Sequence, residues 1–260
     1  MGHIHLGVLP QSRKWRDVVE LLADGSVAED VLAASARAAE GDMIRAATSP
    51  VLVEAVRLLL MIPCAAREDD FGAGLRNIGL SVGSDPTLLE IVVASSQALD
   101  GVGRTTNERS DLGELAGRAL VATLSDHIGD TLPGLFEAIP ADVKLAARQL
   151  SWRRGIAELS RSFFSRLLAD TLSSWLDRTL SAQVGEGRRF HDARDRRAFD
   201  LALSQYTREA TAIIQEFAPG WYGKRLHEDG WISTAQSTVF TAVSFKKIIE
   251  ELKRKRGADD

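Results

Sequence analysis

Two long apolar periodicities in the C-terminal half constrain this chain more than any other feature. Between residues 141 and 184, Val143, Ala147, Leu150, Ile156, Leu159, Phe163, Leu167, Leu172, Leu176 and Leu180 keep helical spacing almost without a break, as an amphipathic helix requires. After Gly185-Glu186-Gly187-Arg188, a second stripe of Phe199, Leu203, Tyr206, Ala210, Ile213 and Phe217 alternates steps of four and three. That is the spacing of a helix packed along a neighbour. A short loop leaves consecutive helices adjacent, so the pattern predicts a long antiparallel helical hairpin. Pro140 suits the first helical position, where its missing N–H costs nothing. A continuous helix over 141–184 would be about 60 Å long at a rise of ~1.5 Å per residue. A compact chain of this length has a diameter of about 45–50 Å. The hairpin must therefore project or bend. Gly155, after Arg153 and Arg154, is the expected weak point, because glycine inside a helix costs roughly 1 kcal/mol relative to alanine.

The N-terminal half reads the same way with shorter elements. Ser12 is placed to cap a helix carrying Trp15, Val18, Val19 and Leu22, stopped at Gly25. Further helices are expected over residues 26–40, 49–62, 85–99 and 110–128, each with Ser or Asp just ahead of an apolar stripe. A last helix over 234–256 presents Val239, Val243, Ile249 and Leu252. Polar or Pro/Gly-broken stretches at 100–109 and 129–140 read as linkers. Strands alternating with helices are not in the pattern, which removes the prior for Rossmann-like and hydrolase folds. The expected fold is all-α and multi-helical.

Charge divides the chain at the second linker. Residues 1–140 hold 11 Lys and Arg against 20 Asp and Glu, a balance of −9, and residues 141–260 hold 21 against 16, a balance of +5. An acidic helical region over 1–135 and a region over 140–260, containing the hairpin and C-terminal helix, are the expected units, with one continuous domain as the alternative. Such polarity steers encounters with charged partners, or draws the halves together within or between copies. Cys64 is the sole cysteine and has no disulfide partner in the chain; beside an apolar run it reads as a small buried hydrophobe. The most apolar stretch, 51–66, contains Glu54, Arg57 and Pro63 and is too short and too charged to span a bilayer. With no secretory pattern at the N-terminus, the expected location is cytoplasmic and away from the membrane.

Several motifs lack their structural context. Gly79-Leu80-Ser81-Val82-Gly83 has the form of a nucleophile elbow, but no strand leads into it. Gly72-x-Gly74 would need a third glycine where Asn77 stands, and Asp70-Phe71-Gly72 lacks the other kinase elements. His3 and His5 share one face of an extended segment, and Asp126, His127 and Asp130 cluster on a helix; both are incomplete metal-ligand sets. No cofactor is expected.

Two segments carry the binding expectations. The stretch 219–231 concentrates Trp221, Tyr222, Lys224, Arg225, His227 and Trp231 among glycines and reads as an aromatic loop. These residue types suit a protein partner, since Trp, Tyr and Arg bury large areas while making directed hydrogen bonds. Arg188, Arg189, Arg194, Arg196 and Arg197 gather at the hairpin tip, where exposed guanidiniums could contact phosphates. The leading expectation is a non-enzymatic helical interaction protein, a subunit or adaptor of a larger cytoplasmic assembly with a protein partner or a second copy of itself. The alternative is a nucleic-acid-binding accessory subunit of a bacterial DNA-processing or defence complex.

Overall fold

A computed structural model describes residues 13–106, 111–133, 138–180, 183–186 and 188–257. Among them run eleven helices: α1 (Arg13–Ala23), α2 (Ala28–Ala46), α3 (Pro50–Ala65), α4 (Phe71–Asn77), α5 (Leu88–Thr106), α6 (Asp111–Gly129), α7 (Pro140–Leu150), α8 (Arg153–Leu180), α9 (Ala193–Ala210), α10 (Ala212–Asp229) and α11 (Thr234–Gly257). The all-α, multi-helical class is therefore observed. The N-terminal segment with His3 and His5 lies outside the described residues.

α3 is the buried centre of the N-terminal half, with Leu52, Val56, Leu59, Leu60 and Ile62 all out of solvent. It packs against α5, α6, α7 and α11. Its apolar residues face every direction because it has neighbours on every side, as a fully buried helix requires. Among the described residues no single helix is long and apolar enough to cross a membrane. The first expected linker is shorter than anticipated, because α5 continues through residues 100–106 to Thr106.

The hairpin is present and antiparallel. Asp177 near the end of α8 pairs with Arg196 near the start of α9, while Arg161 near the start of α8 reaches Gln215 in α10. Neither arm is continuous. The first breaks at Ser151 and Trp152, where the Ser151 hydroxyl donates back to the carbonyl of Arg148 at 2.7 Å, competing with the helical ladder. Arg67, beyond the end of α3, fixes the break: its Nε donates to Ser151 Oγ at 2.9 Å and Nη2 to the Ser151 carbonyl at 2.6 Å. Its guanidinium also lies 4.8 Å from the Trp152 ring centre.

Gly155 is not the bend but what permits it. A Cβ there would stand 2.5 Å from the Gln149 carbonyl oxygen and 2.5 Å from Leu150 Cα, so only glycine lets the first turn of α8 fold back onto the end of α7. The return arm breaks at Thr211, whose buried hydroxyl donates to the Thr207 carbonyl at 2.8 Å. The hairpin bends rather than projects.

The tip is held as well. Gly185 and Phe190 close the reversal through Gly185 N–H to the Phe190 carbonyl and Phe190 N–H to the Gln183 carbonyl, both 2.9 Å. One apolar cluster among the described residues runs from Trp15 in α1 to Leu252 in α11. Within it Phe164 from α8, Phe217 and Trp221 from α10, and Phe240 and Phe245 from α11 form an aromatic knot, with Trp221 and Phe240 centred 4.7 Å apart.

Candidate functional site

The stretch read as an aromatic loop is helical. Pro219 lies within α10, which ends only at Asp229. Helical spacing sorts its residues by face, which a loop would not do. Trp221 turns inward onto Phe240, and Tyr222 is 2% exposed with its hydroxyl beside Cys64. Burial pushes the ionisations of both Tyr222 and Cys64 upward. Arg225 is half-buried and pairs with Glu228 at 3.1 Å and Asp229 at 3.7 Å. Lys224 and His227 face outward on α10 three residues apart, with Gly220 a further turn back on the same face, and Trp231 is exposed just beyond the left-handed Gly230 cap that ends the helix. A Cβ at Gly220 or Gly223 would meet nothing within 4 Å. Trp231 is 55% exposed although its backbone is fixed. The next residue, Ile232, is buried with its N–H 3.3 Å from Met61 Sδ, and Ser233 N–H donates to Gln236 Oε1 at 2.8 Å.

The five tip arginines divide in the same manner. Arg189 donates to the carbonyls of Leu21 in the last turn of α1 and Ser26 in the α1–α2 connection and lies 5.6 Å from the ring centres of both Phe190 and Phe199. Arg196 pairs with Asp177 at 2.5 Å and Asp200 at 3.0 Å. Arg197 Nε reaches the Ala193 carbonyl at 3.2 Å in its own helix. Arg188, Arg194 and Arg197 are exposed. The tip is thus docked on the N-terminal helices, contrary to a protruding reading of it.

A second site lies where no motif pointed. A cleft of about 500 Å³ opens between α6, α8, α9 and α10 beside the Thr211 break. One face of α8 supplies Glu158, Ser162, Ser165 and Ala169 at steps of four, three and four, flanked by Arg161 and Arg166. Across it stand Ser204, Thr207 and Arg208 of α9 and Gln215 of α10, and His127 of α6 closes one end. Arg161 donates to the Arg208 carbonyl from Nε at 3.2 Å and Nη2 at 2.8 Å, and to Gln215 Oε1 at 2.8 Å. Arg166 Nη2 bonds Asp126, while its Nε is buried without a hydrogen-bond partner among the described residues. Glu158 is balanced from the side by Arg154 at 2.9 Å. Burial holds His127 below the ordinary histidine range; Glu158 opposes this, Arg166 adds to it, and Asp126 and Asp130 oppose it.

Asp126 therefore serves an ion pair and His127 a cleft wall. Among the described residues no group of three His, Cys, Asp or Glu side chains is placed to hold one. The glycine motifs are packing devices. A Cβ on Gly72 would lie 2.4 Å from the Gly83 carbonyl oxygen, and one on Gly74 would lie 3.1 Å from that of Ala65. Ser81 sits in an irregular segment after α4, not on a strand-to-helix turn. The cleft went unread because its α8 residues are the gaps between two apolar stripes, and such polar gaps normally mark a solvated face.

The fold and these two surfaces define the chain as an all-α protein with one docked helical hairpin. Comparison with known families, curated proteins and solved structures returns no match.

Proposed function

We propose that this chain is a non-enzymatic helical interaction protein, a subunit or adaptor of a larger assembly, and that the outward face of α10 docks a helix of a protein partner. The observation that carries the reading is Trp231: a half-exposed indole on a backbone pinned to the core. Isolated exposed apolar residues are ordinary, but a rigidly presented Trp beside Lys224 and His227 has the composition of an interface anchor. Gly220 and Gly223 support it, since each weakens an exposed helix by roughly 0.5–1 kcal/mol. No close contact within the described residues requires either of them, and a partner helix approaching the bare backbone would.

The test is a photo-cross-linker at position 227 in the native host. A discrete cross-linked product that disappears in Trp231→Ala supports the reading. A monomer with no product, or a product indifferent to Trp231→Ala, overturns it. The nucleic-acid reading is left with Arg188, Arg194 and Arg197 to serve it, and a gel shift that weakens steeply with salt would be its signature.

A further inference from the structure

We propose that the cleft between α6, α8, α9 and α10 binds the phosphate monoester of a small polyhydroxylated molecule, a sugar-phosphate type of ligand. Three arginines line it, Arg161, Arg166 and Arg208, together with Ser162, Ser165 and Ser204. Among the described residues Glu158 is the only acidic side chain in the wall, and Arg154 balances it from outside the cleft, as Asp126 from outside pairs with Arg166. A single carboxylate would be satisfied by one bidentate arginine, whereas three arginines plus hydroxyls offer more donors than two oxygens can accept. A phosphate monoester has three terminal oxygens and up to two negative charges, which matches this surplus.

Structural duties do not use up these donors. Arg161 is tied by three hydrogen bonds to Arg208 and Gln215, which fixes its guanidinium in the wall. Arg166 keeps a buried Nε that donates to nothing among the described residues, and such an N–H is costly to leave unmade. The cleft volume of about 500 Å³ falls within the range of small-molecule sites. Among the described residues no Phe, Tyr or Trp lines it, so the large aromatic platform on which nucleobases commonly stack is missing. Serine hydroxyls and the Gln215 amide would instead exchange hydrogen bonds with a polyol. The site does not depend on the α10 face, and Trp231→Ala is expected to leave it unchanged.

Isothermal titration calorimetry on the full chain in phosphate-free, low-salt buffer tests this with glucose 6-phosphate, glucose, inorganic phosphate and a phosphoserine peptide. The expected result is one glucose 6-phosphate per chain, at least tenfold tighter than inorganic phosphate, with no heat from glucose. Arg208→Ala, at an exposed position, weakens binding at least tenfold with an unchanged melting temperature. Ser165→Phe, which fills the cleft, abolishes binding. No heat from glucose 6-phosphate overturns the proposal, as does binding that survives both substitutions. Inorganic phosphate binding equally tightly overturns the polyol assignment, and a phosphopeptide binding where glucose 6-phosphate does not overturns the small-molecule assignment.

Discussion

Arg161 donates from both Nε and Nη2 to the main-chain carbonyl of Arg208, at 3.2 and 2.8 Å, across the break between α9 and α10. A helix end leaves carbonyls without intrahelical partners, and a guanidinium is the side chain best shaped to gather them. The same device recurs where Arg67 holds Ser151, where Arg57 donates to the Ile78 carbonyl at 2.6 Å, and where Arg189 reaches Leu21 and Ser26. Arg161→Ala is expected to lower stability by roughly 1.5–3 kcal/mol, the range for hydrogen bonds to charged groups. Arg161→Lys should recover little of this, because a point ammonium lacks the guanidinium fork. Urea midpoints of the two variants check it, and a lysine variant as stable as wild type would refute the fork argument.

Arg189 ties the hairpin tip to the end of α1 and the α1–α2 connection, and burial lowers its ionisation. Arg189→Met keeps much of the stem and removes every donor. Hydrogen exchange should then accelerate selectively in α1 and at the start of α9, with α3 protected as before. Uniform acceleration across the chain would mean that the tip is not a separable unit.

Glycines in two helices predict opposite signs. Gly155→Ala places a Cβ against the backbone of Gln149 and Leu150, where no side chain can move aside. The expected loss is about 1–3 kcal/mol or more. Gly220→Ala and Gly223→Ala meet open space, so each should stabilise the isolated chain by roughly 0.5–1 kcal/mol. If α10 docks a helix as proposed, those stabilising substitutions also weaken cross-linking at position 227. Thermal melts and the cross-linking yield report the two effects separately.

What could be read in the sequence followed from which physical signal was local. The 3.6-residue period of Leu159, Phe163, Leu167, Leu172 and Leu176 depends on one element alone, and the helices and their antiparallel hairpin were legible from it. The bends were not. Ser151 and Thr211 break their arms through side-chain bonds backed by Arg67 and Arg161, which are remote in sequence. Gly155 reads in the sequence as a weak point for its missing side chain, whereas its role is close approach to the preceding helix. Gly220 and Gly223 suggested a loop around Trp221, yet tertiary packing of Trp221 on Phe240 and burial of Tyr222 keep the segment helical. The cleft needs four helices to exist, and of its lining only His127 stands out in the sequence.

His127 gives the fold a pH dependence whose sign follows from its environment. Its pKa in the fold is depressed, first by burial, below the unfolded value of about 6.5. Between those two values the unfolded chain binds more protons than the folded one, so stability falls as pH drops from about 6.5 toward the folded pKa. Asp170 acts the other way: burial raises its pKa despite Arg118 and Arg166, so its contribution is largest in acid and is lost as pH rises above the usual carboxylate range. Asp192 works lower still. The N–H groups of Arg194 and Asp195 hold it below its ordinary value, and the stability it gives is lost only as pH falls through that lowered pKa. His127→Gln should therefore flatten the fall in stability that begins as pH drops below about 6.5, while Asp192→Asn lowers the plateau at higher pH and flattens the fall that begins below about pH 4. Urea denaturation across pH 3–8 separates the two, and a His127→Gln profile parallel to wild type just below about pH 6.5 would refute the depressed pKa of the cleft histidine.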